Sequence, residues 1–246
     1  MMRFTTMKTK LRKYPSIFLI LLLAISSCFL TGCVNQHPKD SKKSSQGESV
    51  ETMLEITDPK EKQAVLNAKA KVKALSGNPR IVATSPAVAD ICDKLDLDLV
   101  GVPKSSVSKI PSRYKKVKKV GLAMSPDMEI VSSLNPDWIL APSSLETDLK
   151  PKFEELKNTE YAFLNLRSVQ GMYRSVQELG EIFGKQQEAE KMTKEFTTFY
   201  KSYTKRNKNK KHPKVLVLMG LPGSYVIATE NSYVGSLVKL AGGENV

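Results

Sequence analysis

Histidine and cysteine are scarce in this chain, which has two histidines and three cysteines among 246 residues. Cys28 lies in an N-terminal leader, and Cys33, directly after it, is expected to be modified, so Cys92 is the one free thiol of the remaining sequence and no internal disulfide can form there. Cys92 falls on a helical apolar stripe, which predicts a buried, inert thiol. The sequence has no H-E-x-x-H motif, no glycine-rich phosphate loop and no serine or cysteine nucleophile with a plausible histidine. Nothing in it therefore indicates an enzyme.

The leader has no apolar run long enough to span a membrane. Its apolar residues 17–25 fall short of the ~20 that a spanning helix needs. They follow a basic segment at 8–13, which is the order of a secretory signal peptide. The sequence Leu30-Thr31-Gly32-Cys33 resembles the bacterial lipoprotein box, which implies cleavage after residue 32 and lipid on Cys33. The alternatives are an ordinary signal peptide with a chance cysteine, or an uncleaved anchor. We expect residues 1–32 to be a lipoprotein signal peptide. The rest should lie on the extracytoplasmic face of the cell membrane, anchored by lipid.

Acidic residues are outnumbered, with 25 against 38 basic residues and a net charge of +13. The leader holds five basic residues and no acidic one, so +8 remains without it. Much of this excess lies at 115–119 and 205–211. A basic protein suggests nucleic acid as a partner, but the export signal argues against it. Aromatics are only 7% of the residues, with no recognition-helix or stacking pattern. We interpret the lysines as solvated faces that also suit an anionic membrane surface.

The central part of the chain alternates between strand and helix patterns. Residues 33–79 read as the lipidated cysteine and a tether, polar at 34–50 and with a polar helix at 59–75. Strands are then predicted at 80–84, 98–102, 117–120, 137–141 and 161–166, with helices at 87–95, 126–134 and 145–156. This alternation predicts a parallel or mixed α/β lobe over residues 80–167.

One long helical stretch leads away from this lobe. Helical periodicity continues through 168–211, with Gly184 as the position for a kink. Residues 212–246 predict a strand at 214–219, a turn, a strand at 224–228 and a helix at 234–240. We therefore expect an α/β fold of two lobes joined by a long helix. We also expect the sequence to be C-terminally truncated, so that the second lobe is incomplete.

The order of lipoprotein box, tether, lobe, long helix and second lobe resembles the class III periplasmic-type substrate-binding proteins. These proteins deliver iron siderophores, cobalamin and haem to ABC importers. The letters PDMEIV at 126–131 and LNPDWI at 134–139 resemble that family's helix-to-strand signature. Further segments resemble the haem-binding lipoproteins of Isd (iron-regulated surface determinant) uptake systems. They lie at 80–82, 93–97, 100–103, 111–115, 120–124, 211–225 and 241–246.

The resemblance implies a set of haem-contacting residues. In that family haem lies between the lobes, and its iron is held by a methionine of the first lobe and a histidine of the second. The methionine falls on Met124, whereas the histidine lies in a segment that this sequence does not contain. Taken alone, Met124 would be a core filler or surface residue. Two loops match haem-contact loops whose N–H and hydroxyl groups suit the propionates. The alternative for each is an ordinary loop whose polar groups bind no ligand. Their residues are Pro86, Ala87, Ser105 and Ser106.

The same resemblance implies partners. Glu129 matches an acidic residue that contacts permease arginines in the cobalamin- and siderophore-binding relatives. Without the resemblance, Glu129 would be interpreted as a first-turn acid that stabilises its helix through the helix dipole. His37 and His212 are expected to be structural or exposed. The expected protein is a monomeric haem receptor for an ABC-importer permease, with cell-wall haem-relay proteins as further partners and no nucleic acid. The alternatives are an iron-siderophore or cobalamin lipoprotein and, in another class, a basic surface adhesion lipoprotein.

Overall fold

The computed structural model describes residues 3–4 and 53–246. The lipidation position Cys33, the polar segment 34–50, His37 and almost all of the leader lie outside these residues. Of the expected signal peptide, only strand β1 (Arg3–Phe4) is described, and it pairs antiparallel with a strand of the first lobe.

The core of the first lobe is a sheet whose five main strands are all parallel. They are β2 (Ile81–Ala83), β3 (Leu99–Val102), β4 (Lys118–Lys119), β7 (Trp138–Pro142) and β8 (Glu160–Leu164). Including β1, the spatial order is β1-β8-β7-β2-β3-β4. The predicted alternation of strands and helices is therefore confirmed, and all five main strands end at the same edge of the sheet.

Three helices cover one face of this sheet. They are α1 (Pro59–Lys73), α2 (Pro86–Lys94) and α5 (Val169–Phe183), and each begins at a side chain that caps it: Asp58, Ser85 and Ser168. Alternate strand residues such as Ile81, Ala83 and Leu140 pack under these helices, as the period of two in a strand requires. Cys92 on α2 is buried here as predicted, and burial raises the pKa of its thiol to about 12.

Helix α1 belongs to this core, although its residues fall inside the expected 33–79 tether. Val65 and Ala68 are buried against α5. Lys69 forms an ion pair with Glu181 of α5, and Lys71 forms one with Glu160 at 2.5 Å. In the structure the folded part of the chain therefore begins before residue 80.

The opposite face of the sheet is covered by α3 (Met128–Ser133) and α4 (Glu146–Glu154). The intervening strand residues, among them Val82 and Ile139, point to this side. Three rings, Phe153, Tyr161 and Phe163, pack with centroids 5.8–5.9 Å apart. Each such pair contributes about 0.5–1.5 kcal/mol beyond its buried area.

The expected long helix over 168–211 is two helices, α5 and α6 (Gln186–Asn207). Gly184 ends α5 in the left-handed region, with φ of 72°. The two helices then fold back on each other. Gly180 lies so close to Ala189 that an added Cβ would approach its Cβ to 2.6 Å, and Tyr173 stacks on Phe196 at 4.5 Å. Gly184 is thus a break between two packed helices, and α6 alone continues toward residues 212–246.

The last part of the chain contains short strands and one helix. The strands are β9 (Lys214–Val215), β10 (Leu218–Leu221), β11 (Ser224–Ile227) and β12 (Glu244–Asn245), and the helix is α7 (Tyr233–Leu240). Strands β10 and β11 form a hairpin, and β12 pairs parallel with β9. The predicted strand 214–219 is interrupted at Leu216 and Val217, and Leu216 and Leu218 are exposed.

Candidate binding site at the carboxyl edge of the sheet

Three neighbouring strands lead into the loops that carry the predicted ligand-contacting residues. Strand β2 is followed by Pro86 and Ala87, β3 by Ser105 and Ser106, and β4 by Met124. Adjacent strands lie about 4.8 Å apart, so the three loops start within about 10 Å of each other. The carboxyl edge of a parallel sheet is where open α/β folds bind ligands. The structure therefore brings the three predicted loops to one edge.

Met124 lies at the tip of a small hairpin. Strand β5 (Gly121–Leu122) pairs antiparallel with β6 (Ser125–Pro126), which leaves Ala123 and Met124 as the two-residue loop. Met124 is 72% exposed and Leu122 is 58% exposed. The hairpin thus presents a thioether and an apolar side chain to whatever occupies this edge.

Backbone geometry fixes the hairpin to the sheet. Gly121 has φ of +94°, and an added Cβ would lie 2.9 Å from the Asp127 nitrogen. The Val120 N–H donates to the Val102 carbonyl at 2.9 Å, and the Asp127 N–H donates to the Val120 carbonyl at 2.8 Å. The Lys104 N–H donates to the Gly121 carbonyl at 2.6 Å, which joins the loop after β3 to the Met124 hairpin.

The loop after β3 adds hydroxyl groups and an exposed apolar side chain. The Ser105 hydroxyl accepts a hydrogen bond from the Ser108 N–H at 3.0 Å, and its own proton is still available to a ligand. Ser106 is exposed, and Val107 is 95% exposed. Polar donors and an apolar contact therefore lie side by side next to the hairpin.

The start of α2 offers fewer N–H groups than its sequence suggests. Pro86 has no N–H, and the Val88 N–H already donates to the Ser85 hydroxyl at 3.3 Å. The N–H of Ala87 makes no hydrogen bond with another described residue. Ala87 is thus the first-turn donor that remains for an anionic group, and Pro86 can supply only a van der Waals contact.

Glu129 and His212 have different surroundings. Glu129 is an exposed residue in the first turn of α3, which Asp127 caps through the Ile130 N–H at 3.1 Å. His212 is exposed, and its Nδ1 lies 2.6 Å from the Gly242 carbonyl oxygen. Because a carbonyl only accepts, Nδ1 carries the proton in this contact. Glu129 is therefore placed close in sequence to the hairpin, whereas His212 lies in the last part of the chain.

Several features of this edge were not predicted from the sequence. These are the hairpin itself, the Lys104–Gly121 hydrogen bond, and the exposure of Leu122 and Val107. Gly121, directly after the predicted strand 117–120, was the available signal for a tight turn. Together, an exposed thioether, apolar side chains and N–H or O–H donors suit a flat, mostly apolar ligand with anionic groups.

Comparisons with known proteins show which family this chain resembles. The sequence profile of the periplasmic binding protein family matches residues 81–246. The high-affinity haem uptake system protein IsdE of Staphylococcus aureus is 42% identical over 172 residues, which cover 70% of this chain. The solved structure of S. aureus IsdE complexed with haem superposes with a TM-score of 0.64, covering 69% of this chain and 66% of that one.

Two further solved structures are similar. An ABC transporter substrate-binding protein from Listeria monocytogenes EGD-e is 47% identical, with a TM-score of 0.64 and coverage of 69% of this chain and 65% of that one. The siderophore-binding protein BauB is 22% identical, with a TM-score of 0.56 and coverage of 70% and 63%. At that identity the BauB similarity shows the fold alone. The chain spans 58% of the length of the curated relatives that it matches.

Proposed function

We propose that this chain, which belongs to the periplasmic binding protein family and has its class III α/β fold, is the haem-binding receptor of an ABC importer. Its similarity to IsdE and to the IsdE–haem structure supports haem as the ligand. Its relatives are substrate-binding proteins, so the role is binding and delivery rather than catalysis.

The single observation that carries this proposal is the exposed Met124 at the hairpin tip. A thioether is an established axial ligand of haem iron. Buried methionines are common core fillers, but Met124 is 72% exposed and is held in place by the hydrogen-bonded base of its hairpin. Leu122 and Val107 supply apolar contacts for the porphyrin beside it. The cost of exposing these side chains is explained if a ligand covers them.

The neighbouring loops are proposed to hold the haem propionates. The Ala87 N–H at the start of α2 and the hydroxyls of Ser105 and Ser106 are donors at the same edge as Met124. Pro86 would supply a van der Waals contact to the ligand. These donors would fix the orientation of haem through its two carboxylates, while Met124 contacts the iron.

Anchoring and delivery complete the proposal. Residues 1–32 would be a signal peptide and Cys33 the lipidated first residue of the mature protein, on the extracytoplasmic face of the membrane. Glu129, exposed on α3, would meet the permease. No helix among residues 53–246 is long and apolar enough to cross a bilayer. Cell-wall haem-relay proteins would supply the ligand.

Haem titration followed by visible absorption tests the role of Met124. We expect Met124→Ala to weaken binding by about tenfold and to alter the absorption bands of the bound iron. Met124→Leu keeps an apolar side chain without sulfur, so it should change the bands with a smaller loss of affinity. Met219→Ala is the matched control, because Met219 is another exposed methionine, on β10. Affinities and spectra are compared between variants of this chain and not with its relatives, because the chain spans only part of their length.

Three outcomes would contradict the proposal. Unchanged bands in Met124→Leu would remove Met124 as an iron ligand. Binding of a ferric siderophore or cobalamin in preference to haem would favour the related binding classes, and binding of none of these ligands would favour the adhesion class.

A further inference from the structure

A dense group of cations lies at the end of α6 and just beyond it. Between residues 196 and 229 the chain has no acidic residue. The same interval holds seven basic residues, and all of them are exposed: Lys201, Lys205, Arg206, Lys208, Lys210, Lys211 and Lys214. We call residues 201–214 the basic segment.

Most of the basic segment has no acidic partner in the structure. Four cations elsewhere in the described part of the chain form ion pairs, among them Lys69 with Glu181, and Arg113 with Asp96 and Asp98 at 2.8 Å each. By contrast, six of the seven form no ion pair with any residue of 53–246, namely Lys205, Arg206, Lys208, Lys210, Lys211 and Lys214. Their positive charges are therefore available to an external anion.

The packing of α6 turns lysines of the basic segment outward. Phe196 stacks on Tyr173 of α5, and the Tyr203 hydroxyl donates to the Ala241 carbonyl at 2.8 Å. These contacts fix one side of α6 against the rest of the domain. Lys201, Lys205 and Lys208 recur at i, i+4 and i+7 on the opposite side.

A helix-dipole role explains only part of the basic segment. Cations in the last turn of a helix are stabilising because the C-terminal end carries a partial negative charge. That effect applies to Lys205 and Arg206 and falls off beyond the last turn. Lys210, Lys211 and Lys214 lie after α6 ends at Asn207, so they require another explanation.

We propose that the basic segment binds the anionic headgroups of phospholipids and holds the domain against the membrane surface. The inference rests on the lipid anchor at Cys33 in the proposed function. The polar segment 34–50, expected from its composition to be a flexible tether, would link that anchor to the folded part of the chain, and a flexible segment of 17 residues reaches about 20–25 Å. The basic segment would thus be confined near phosphate groups. Each cation close to an anionic membrane strengthens binding by about fivefold. A free polyphosphate presents similar chemistry, but the expected tether to a lipid surface favours the lipid.

Vesicle co-sedimentation of the full chain tests this inference. Vesicles of phosphatidylcholine alone are compared with vesicles that also contain phosphatidylglycerol, at low and high salt. The apolar leader contributes to binding of both kinds of vesicle, so the readout is the difference in the bound fraction between them. The test variant replaces Lys205, Lys208, Lys210 and Lys211 with glutamine. The matched control replaces four other exposed lysines with glutamine: Lys60, Lys62, Lys115 and Lys116.

We expect the parent chain to prefer the anionic vesicles in a salt-sensitive manner. The test variant should lose about tenfold or more of that preference, while the control keeps most of it. Equal losses in both variants, or no preference in the parent, would overturn the inference. So would tighter binding to soluble inorganic polyphosphate than to the anionic vesicles at matched phosphate. Fatty-acid labelling of Cys33 and haem titration test the proposed function in separate experiments. Failure of the membrane inference can therefore be distinguished from failure of the proposed function.

Discussion

Glu178 is a buried acid whose titration should dominate the pH dependence of stability. It lies on α5 and is fully buried, next to Glu61 of α1. Burial, followed by the contact with Glu61, raises the pKa of Glu178 from 4.5 to about 9, and the attraction of Arg174 only partly offsets this. The folded protein therefore holds a proton on Glu178 at neutral pH.

The sign of the effect follows from proton binding in the two states. Between pH 4.5 and about 9, the folded chain keeps a proton that the unfolded chain releases. The free energy of unfolding then falls by about 1.4 kcal/mol for each pH unit in this window. Raising the pH from about 5.5 to about 7.5 should remove about 2.7 kcal/mol of stability through this one group. Glu178→Gln cannot titrate, so it should lose that slope and be more stable than the parent at the higher pH.

Urea unfolding followed by tryptophan fluorescence measures this effect. The chain has one tryptophan, Trp138, which is buried in β7 with its ring centroid 5.6 Å from that of Phe183. The matched control is Glu181→Gln, one helical turn further along α5. Hydrogen bonding to Lys69 lowers the pKa of Glu181, so its stabilising contribution is lost as pH falls, the opposite sign to Glu178. If Glu178→Gln keeps the parental slope, or is less stable than the parent at pH about 7.5, the reasoning about the buried acid is wrong.

Two further predictions concern the hairpin and the leader. Gly121→Ala should destabilise the hairpin by about 1–3 kcal/mol, because a side chain is strained at positive φ and meets the Asp127 backbone. The haem affinity of Gly121→Ala should fall together with its stability. Gly77→Ala is the control, and it should change neither quantity because nothing lies within 4 Å of the added Cβ. A Gly121→Ala protein as stable as the parent would contradict the strain inferred at Gly121. Cys33→Ser should abolish incorporation of labelled fatty acid in cells, with Cys28→Ser as the control, and undiminished labelling would contradict the lipid anchor.

The sequence predicted the elements of the first lobe well because their local patterns are strong. Apolar runs bounded by proline or asparagine located β2, β3, β7 and β8 to within about two residues. Helix α2 was marked by Ser85 and Pro86, the cap and first-turn signals that the structure uses. By contrast, the packing of α5 against α6 could not be read from periodicity. Both segments have helical periodicity, and the contacts of Gly180 with Ala189 and of Tyr173 with Phe196 show that the chain reverses between them.

The residues of the site remain a prediction that rests on resemblance, and the hairpin that carries Met124 was not predicted from the sequence. Met124, Ala87 and Ser105 were singled out by resemblance, and the structure places them after neighbouring strands at one edge of the sheet. Strands of two residues are too short to show any alternation, so the hairpin around Met124 left no pattern. Its position depends on hydrogen bonds such as that from Lys104 to Gly121, which link residues 17 apart in the chain. Such contacts arise from the sheet topology rather than from local sequence.

The burial of Cys92 gives this protein an internal reporter of its own opening. A thiol reagent can modify Cys92 only when α2 separates from the sheet, because the side chain has no exposed surface in the folded state. When closing is faster than modification, the rate of alkylation is set by the equilibrium population of the open form. Mass spectrometry of the peptide around residue 92 would therefore measure the local opening free energy of the lobe that carries Met124, with or without ligand. The slowing of that rate by haem would give the binding free energy of the folded lobe without an engineered label on the protein.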